Sequence, residues 1–410
     1  MNFARRHPIA LALIVLVAWS AVDPLPALVD VVTGAAAPDA DLTRPILYTA
    51  FAPLSDLLDA LTFLSLGRAQ VLLGAWSVVL AVWGAAQAGT LVRRLVRAAA
   101  GPALVLALAL VTVFLPRPVP RITVADEAVT VIDYHAHTQA SHDGRRGWTA
   151  LDLARWHAVQ GFEASYVTDH NVLFADSVDQ PIPLLPGVEW SVYGQHMLAL
   201  GETLPIDRDR YLRDTPALLH IFADLHRRGA LAVASIPEYW EHHWDDLDDF
   251  VRAGVDGFEI ANCAPKAIGF PDAARARVVA LARQHNLLVV GASDNHGWGK
   301  VTCVWNLASP SAHGFSANRI LVRPLVLVQA EWLPWTAPYT QPWFMLRSLT
   351  WPERISWLTW ILVVLIYRAT PRRDGDAQGL GILARSLKLR ALLGRRADAT
   401  ARPSVPPSPS

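Results

Sequence analysis

Apolar and polar positions fall into two regimes along this 410-residue chain. Up to about residue 117 and after about 350 the apolar runs are long and aperiodic. Between them, short apolar runs alternate with helical spacings. Residues 69–92 carry no charge, and at helical rise they reach about 36 Å, enough to cross a bilayer. Residues 98–116 form a second uncharged run of about 28 Å. Residues 7–22, behind Arg5 and Arg6, predict a signal anchor or first span, with a cleaved signal peptide as the alternative. The run 355–367 is shorter, about 20 Å, but Arg354 and Arg368 can snorkel outward and Trp351, Trp357 and Trp360 suit an interface. Segment 46–66 is apolar yet holds Asp56 and Asp59, which are costly at a bilayer centre. It is expected at the interface or lying against the bundle.

Spans at about 7–22, 70–91, 99–116 and 355–367 place Arg5 and Arg6, the Arg93, Arg94 and Arg97 cluster and the tail beyond Arg368 on one side. By the positive-inside tendency that side is the cytoplasm. The expected organisation is a membrane region over 1–117, a domain over 118–350 facing away from the cytoplasm, and a C-terminal span over 351–368. A basic, then Pro/Ser-rich tail follows over 369–410, read as disordered. This describes a multi-pass protein of the cytoplasmic (inner) membrane, with the bilayer as partner and the oligomeric state open.

Within 118–350 the pattern predicts strands over 130–137, 162–171, 182–192, 195–201, 230–236, 254–262 and 287–297. Helices are expected over 148–161, 215–229, 245–253 and 271–286. Strands alternating with helices indicate a parallel sheet, and six or seven such units suit a compact barrel.

Composition narrows the function classes. Basic and acidic side chains balance at 36 each, so no overall field favours nucleic acid, and none is expected as a partner. Cys263 and Cys303 are too few for a disulfide framework or a thiolate zinc site and read as a reduced, buried pair. Of the 14 histidines, 13 lie between His135 and His313. His135, His137, Asp169, His170, Glu189, Glu259, Asp294 and His296 each fall at the C-terminal end of an apolar run, the face where β/α barrels build active sites. Imidazoles and carboxylates converging without cysteine suit Zn²⁺, Mn²⁺ or Fe.

Five stretches carry a resemblance: 133–144 (DYHAHTQASHDG), 167–171 (VTDHN), 186–196 (PGVEWSVYGQH), 256–262 (DGFEIAN) and 291–297 (GASDNHG). In this order they resemble the PHP family, named for polymerase and histidinol phosphatase, over roughly 128–300. The resemblance implies an α/β fold, a distorted (β/α)7 TIM-like barrel, here flanked by transmembrane helices. It also implies two or three divalent ions (Zn, Mn or Fe) that hydrolyse phosphate esters. Carried over, His135, His137, Glu189 and Asp294 match the ligands of the first metal, with Glu189 bridging to a second that also takes His196. His170 and His296, with His142 or Asp143, match the third. Asp169 matches an orienting group. Where the family commonly has a His-Pro pair, this chain has Ile236 before Pro237. Either Glu238, His242 or His243 substitutes, or only two ions bind.

The implied chemistry is attack by a water activated between the metals, with Asp294 or His296 handling its proton. Arg145, Arg146, Lys266 and Lys300 are candidate phosphate clamps. The expected activity is thus a membrane-anchored phosphoesterase acting on a phosphorylated small-molecule or envelope-derived substrate. Hydrolysis of a non-phosphate amide or ester, or a non-catalytic metal- or ligand-binding sensor, are the alternatives. His157 is expected to lie outside this chemistry.

Overall fold

The structure is a computed structural model that describes residues 7–174, 180–192, 194–201, 215–242 and 245–369. His243 lies outside the described residues. Two units separate within it. One comprises 1–11 with 359–410, whose described parts are the outer ends of two terminal helices; the other, 12–358, contains the sheet, the cavity and the candidate site.

The second unit is organised on a ten-stranded sheet. Its strands, in chain order, are β1 (Val29–Asp30), β4 (Thr130–Asp133), β5 (Ala164–Val167), β6 (Leu184–Val192), β7 (Gln195–Leu200), β8 (Leu231–Ser235), β9 (Gly257–Asn262), β10 (Leu288–Ala292), β11 (Val304–Ala308) and β12 (Asn318–Val322). The spatial order is β1-β12-β11-β4-β5-β6-β7-β8-β9-β10. A separate ribbon pairs β2 (Ala40–Thr43) with β3 (Arg121–Val124). The expected strands and helices of 130–297 all form, but the closed seven-stranded parallel barrel does not.

Two features overturn the barrel. The segment from β6 to β7 is an antiparallel hairpin around Gly194, at φ 73°, so the alternating strand–helix rhythm breaks there. At the other end, β11 pairs antiparallel with β4, and β12 pairs antiparallel with β11. No ladder joins β10 to β4 or β11 among the described residues. Side chains, and an isolated backbone bridge between Ala136 and Asn295, join the two segments instead. Asn306 Nδ2 donates to Ile132 O (3.0 Å) and Gly291 O (2.8 Å), and its Oδ1 accepts from Gly291 N at 2.7 Å. Strands β9 and β10 are buried along their whole length, which is why they read as continuous apolar runs.

Helices α6 (Ala150–Val159), α7 (Thr215–Arg227), α8 (Leu247–Ala253) and α9 (Asp272–Gln284) accompany the sheet. Thr149 and Asp152 form a reciprocal cap that fixes the start of α6, whose Leu153, Ala154 and His157 turn inward.

Among the described residues, two helices are by themselves long and apolar enough to cross a membrane, α4 (Leu66–Ala86) and α5 (Leu91–Phe114). They form a hairpin whose close approach needs glycine. A Cβ at Gly84 would stand 2.5 Å from Arg97 O, and one at Gly101 2.5 Å from the Leu80 side chain. The outer faces leave Val78, Val82, Trp83, Leu104, Leu106 and Phe114 exposed. At the tip, Arg94 Nε and Arg97 Nη1 bond the carbonyls of Ala85 and Ala88.

The other expected spans fare differently. The helix in 7–22 is α1 (Pro8–Trp19), 12 residues, about 18 Å and short of a bilayer core of about 30 Å. The C-terminal helix α12 (Trp351–Ala369) follows α11 (Ala337–Arg347), and the stretch Pro334–Arg347 makes a 116° bend with Trp351–Arg368, the geometry of a broken or re-entrant span. Segment 46–66 forms α2 (Ile46–Ala50) and α3 (Ala52–Thr62) and lies against the protein. Its acids are buried but paired. Asp59 meets Arg117 (3.2 Å), Arg323 (3.0 Å) and Tyr48 Oη (2.9 Å), and Asp56 accepts from Trp357 Nε1 at 2.9 Å.

Cys263 and Cys303 are joined in a disulfide, not a reduced pair. Forty residues separate them in sequence, but the end of β9 and the approach to β11 bring their Cα atoms to 5.8 Å.

Candidate metal centre

The centre begins where β4 ends. His135 and His137, two residues apart on an extended segment, face the same side and are both buried. The segment is locked to the one following β10: Asp294 N donates to His135 O (2.9 Å) and His137 N to Asn295 O (3.2 Å). Asp294 itself sits at φ 48°, a left-handed conformation rare for a side-chain-bearing residue and held by those bonds.

A loop then folds back. Asp169 accepts from Thr138 N (2.6 Å) and Thr138 Oγ1 (2.7 Å), so it fixes the chain after His137 and supplies no face to the cluster. Gly144 is required at the return, because a Cβ there would lie 2.0 Å from Thr138 O. Ser141 Oγ donates to Asp143 Oδ1 at 2.9 Å and accepts from His170 N at 3.3 Å.

Glu189, wholly buried on β6, is the hub. Its Oε2 lies 3.2 Å from His135 Nε2, 3.3 Å from His137 Nε2 and 3.2 Å from His170 Nδ1, and its Oε1 lies 2.7 Å from His196 Nδ1. Asp294 Oδ1 stands 3.2 Å from His137 Nε2, 3.6 Å from His135 Nε2 and 3.5 Å from His296 Nδ1. Asp143 Oδ2 is 3.1 Å from His296 Nε2 and 3.5 Å from His170 Nε2. His142 is largely solvent-exposed, 3.9 Å from its neighbour Asp143. Of the two residues the sequence left open, Asp143 is the one that joins both histidines.

These donors group four ways, each within 4.8 Å: His135 with His137 and Asp294; His137 with His170 and His296; His170 with Glu189 and His196; His142 with Asp143 and His170. The arrangement tests as a cation site. His137 Nδ1, His170 Nδ1, His296 Nε2, Asp294 Oδ1 and both Glu189 oxygens are buried without a hydrogen-bond partner. Two imidazole nitrogens, Nε2 of His135 and of His137, face each other at 3.0 Å. Leaving several such groups unmade is costly, and a divalent cation coordinated by them removes that cost.

The field reports the same crowding. Burial pushes His135 and His137 down, but the carboxylates of Glu189 and Asp294 override it, raising His135 well above its ordinary value and His137 to about 9. Burial opposes ionisation of Glu189 and Asp294, yet the histidines hold both well below the usual carboxylate range. His170 goes the other way, to about 4, because burial outweighs Glu189.

Supporting groups surround the ligands. Glu259 accepts from His135 Nδ1 at 2.8 Å, and from Ser235 Oγ (3.0 Å) and Asn262 Nδ2 (2.8 Å). Asn262 also donates to Asp294 Oδ2 at 3.0 Å. Ile236 is packed in the core. Among its proposed replacements Glu238 approaches His196 at 3.9 Å, while His242 is exposed. Tyr239 Oη reaches His196 Nε2 at 3.4 Å, a contact the sequence reading missed.

His157, expected outside the chemistry, is bonded within the sheet domain. It is fully buried, with Nε2 2.8 Å from Asp133 Oδ2 and Nδ1 2.9 Å from Leu153 O. Of the proposed clamps, Lys266 lines the cavity beside the cluster and pairs with Glu238 at 3.1 Å. Arg145 stacks over Trp148 at 5.0 Å. Lys300 is half-buried, its pKa lowered by burial and by Arg145 and Arg117 nearby. Arg146 is exposed.

The cavity measures about 460 Å³. Its lining includes Asp143, His170, Glu189, His196, Asp294 and His296 and also the apolar Leu61, Leu64, Leu66, Ala69, Val113 and Trp298.

No protein-family model matches the chain, and no curated protein matches it. Among solved structures, PsfC from Pseudomonas syringae PB-5123 aligns at 20% identity and TM-score 0.37, over 49% of this chain and 96% of that one. The lesion-specific endonuclease PfuEndoQ from Pyrococcus furiosus aligns at 11% identity and TM-score 0.29, over 46% of this chain and 54% of that one. Similarity of this degree carries no information about activity.

Proposed function

We propose that this chain is a membrane-anchored, metal-dependent hydrolase of phosphate esters, as the resemblance of its five motifs to the PHP family implies. The observation that carries the reading is Glu189: one buried carboxylate within 3.3 Å of four imidazoles, both oxygens lacking a hydrogen-bond partner. His135, His137, Glu189 and Asp294 would hold one cation, His170, His296 and Asp143 another. His196 with Glu189 would hold a third if Glu238 completes the set. Cations so held polarise a phosphoryl oxygen and bring the pKa of a water towards neutrality.

The chain's own residues supply the rest. Glu259 fixes the tautomer and tilt of His135 through Nδ1. His296 lines the cavity with Nε2 towards Asp143 and Nδ1 3.0 Å from Asp294 O, a contact that fixes the tautomer leaving Nε2 free to ligate. Lys266 offers a cation to the phosphoryl group, and the half-buried wall limits bulk water. The site lies on the non-cytoplasmic side in this reading, supported by the Cys263–Cys303 disulfide and by the Arg-rich hairpin tip at the far end of α4 and α5.

The test is turnover by the purified full chain, loaded with Mn²⁺ or Zn²⁺, on p-nitrophenyl phosphate, bis-p-nitrophenyl phosphate and a wider phosphate panel. Metal-dependent hydrolysis is expected. His135→Ala should reduce it more than about 100-fold, and exposed His220→Ala should not. Absence of turnover across the panel by fully metal-loaded protein overturns the proposal; release from amide or carboxylic ester substrates alone would replace it.

A further inference from the structure

Resting on that reading, we infer that the substrate is a lipid-borne phosphate ester whose apolar tail lies along the membrane hairpin while its phosphate meets the metal centre. The cavity beside the cluster is not enclosed by the sheet domain alone. Part of its lining comes from the membrane segments: Leu61 and Leu64 before α4, Leu66 and Ala69 in its first turn, and Thr112 and Val113 in the last turn of α5. A single cavity therefore has a polyvalent cation-binding wall and an aliphatic wall that continues into two bilayer-length helices. A water-soluble phosphate has no use for the second wall. A phosphate carried on a long alkyl chain uses both.

The level of the bilayer agrees. Trp298, three residues beyond the cluster's Asn295, is 45% exposed and packs edge-on against Phe114 at the foot of α5. Trp332, Leu333, Trp335 and Tyr339 are also exposed, and Arg68 in the first turn of α4 holds the Gln329 and Trp332 carbonyls. Trp76 on α4 donates to Pro338 O at 3.3 Å. Exposed Trp298 beside Phe114 at the end of α5, and exposed Trp332 whose carbonyl Arg68 holds in the first turn of α4, suit a membrane–water interface. Trp298, Leu66 and Val113 all line the cavity, so on this inference a headgroup reaches the cations while its chain stays in hydrocarbon. The Arg-rich tip, at the opposite end of the hairpin, faces the other side of the bilayer.

The test uses the full-length protein in detergent with non-hydrolysable n-alkyl phosphonates from butyl to dodecyl, read by calorimetry with and without Mn²⁺. Affinity should rise about three- to fourfold per methylene while the chain fills the aliphatic wall. Leu66→Asp or, independently, Val113→Asp should flatten that slope; comparison with the unaltered protein cancels partition into micelles, and unchanged metal stoichiometry certifies the fold. No chain-length dependence, or a slope untouched by both substitutions, overturns the inference even if soluble phosphates are hydrolysed. A slope that holds while Mn²⁺ changes neither binding nor turnover retains the tail site but sinks the phosphoesterase reading, and with it this substrate assignment.

Discussion

Single residues at the centre divide into those that would touch a cation and those that hold them. Glu189→Gln keeps the size but removes the charge that four imidazoles share, so bound metal should fall by at least one ion per chain, measured by elemental analysis. Glu259→Gln leaves every ligand in place and loosens only His135. Metal affinity should drop about 10–100-fold while the fold persists. His157→Ala is different, since it strands the buried Asp133 carboxylate. A loss of about 3–5 kcal/mol of stability is expected in chemical denaturation, and this makes His157 unfit as a catalytic control. Protonation adds a further check. The metal-free fold holds His137 at about 9, above the unfolded value of about 6.5. Its proton therefore stabilises the metal-free fold fully below pH of about 6.5, a contribution lost as pH rises through the folded value. A cation needs the neutral ring, so its apparent affinity should climb across the same window with proton release. Chelator competition showing a flat pH profile would count against His137 as a ligand.

At the scale of elements, legibility followed burial periodicity. Every strand and helix of 130–297 announced itself because its apolar spacing is set locally. Whether the strand after Gly194 returns antiparallel or crosses over depends on what covers it, and periodicity is blind to that. The α4–α5 pair adds a test of its own. Gly84→Leu and Gly101→Leu each place atoms where the opposite helix already stands, so each should separate the hairpin and lower thermal stability in detergent, with little effect from Gly74→Leu, where space is open. Equal tolerance at all three positions would mean the helices do not pack as described. Segment 46–66 shows the converse limit. Its two acids argued against a span, and their partners Arg117, Arg323 and Trp357, up to 301 residues away, could only be found in three dimensions.

For the whole molecule, the disulfide and the Arg-rich tip predict opposite compartments for the two ends of the hairpin. Alkaline-phosphatase fusions at position 320 should be active and those at position 88 silent, with fluorescent-protein fusions reversed. The cysteines offer an independent readout. Maleimide should label Cys263 and Cys303 in the denatured chain only after reduction, and labelling without reductant would return them to the reduced pair that their number alone implied.

The sequence by itself determined the ingredients: uncharged runs of bilayer length, the order of strands and helices, and the imidazoles and carboxylates at strand ends. These are properties of neighbours within a few residues, where backbone periodicity and hydration act. Tertiary structure alone decided that the sheet is mixed and open, that Asp143 and not His142 joins His170 to His296, and that Cys263 meets Cys303. It also decided that the ends of two helices long and apolar enough to cross a membrane line the cavity beside the candidate cluster. Each of these depends on the distance between groups far apart in the chain, and local spacing cannot encode a distance that packing sets.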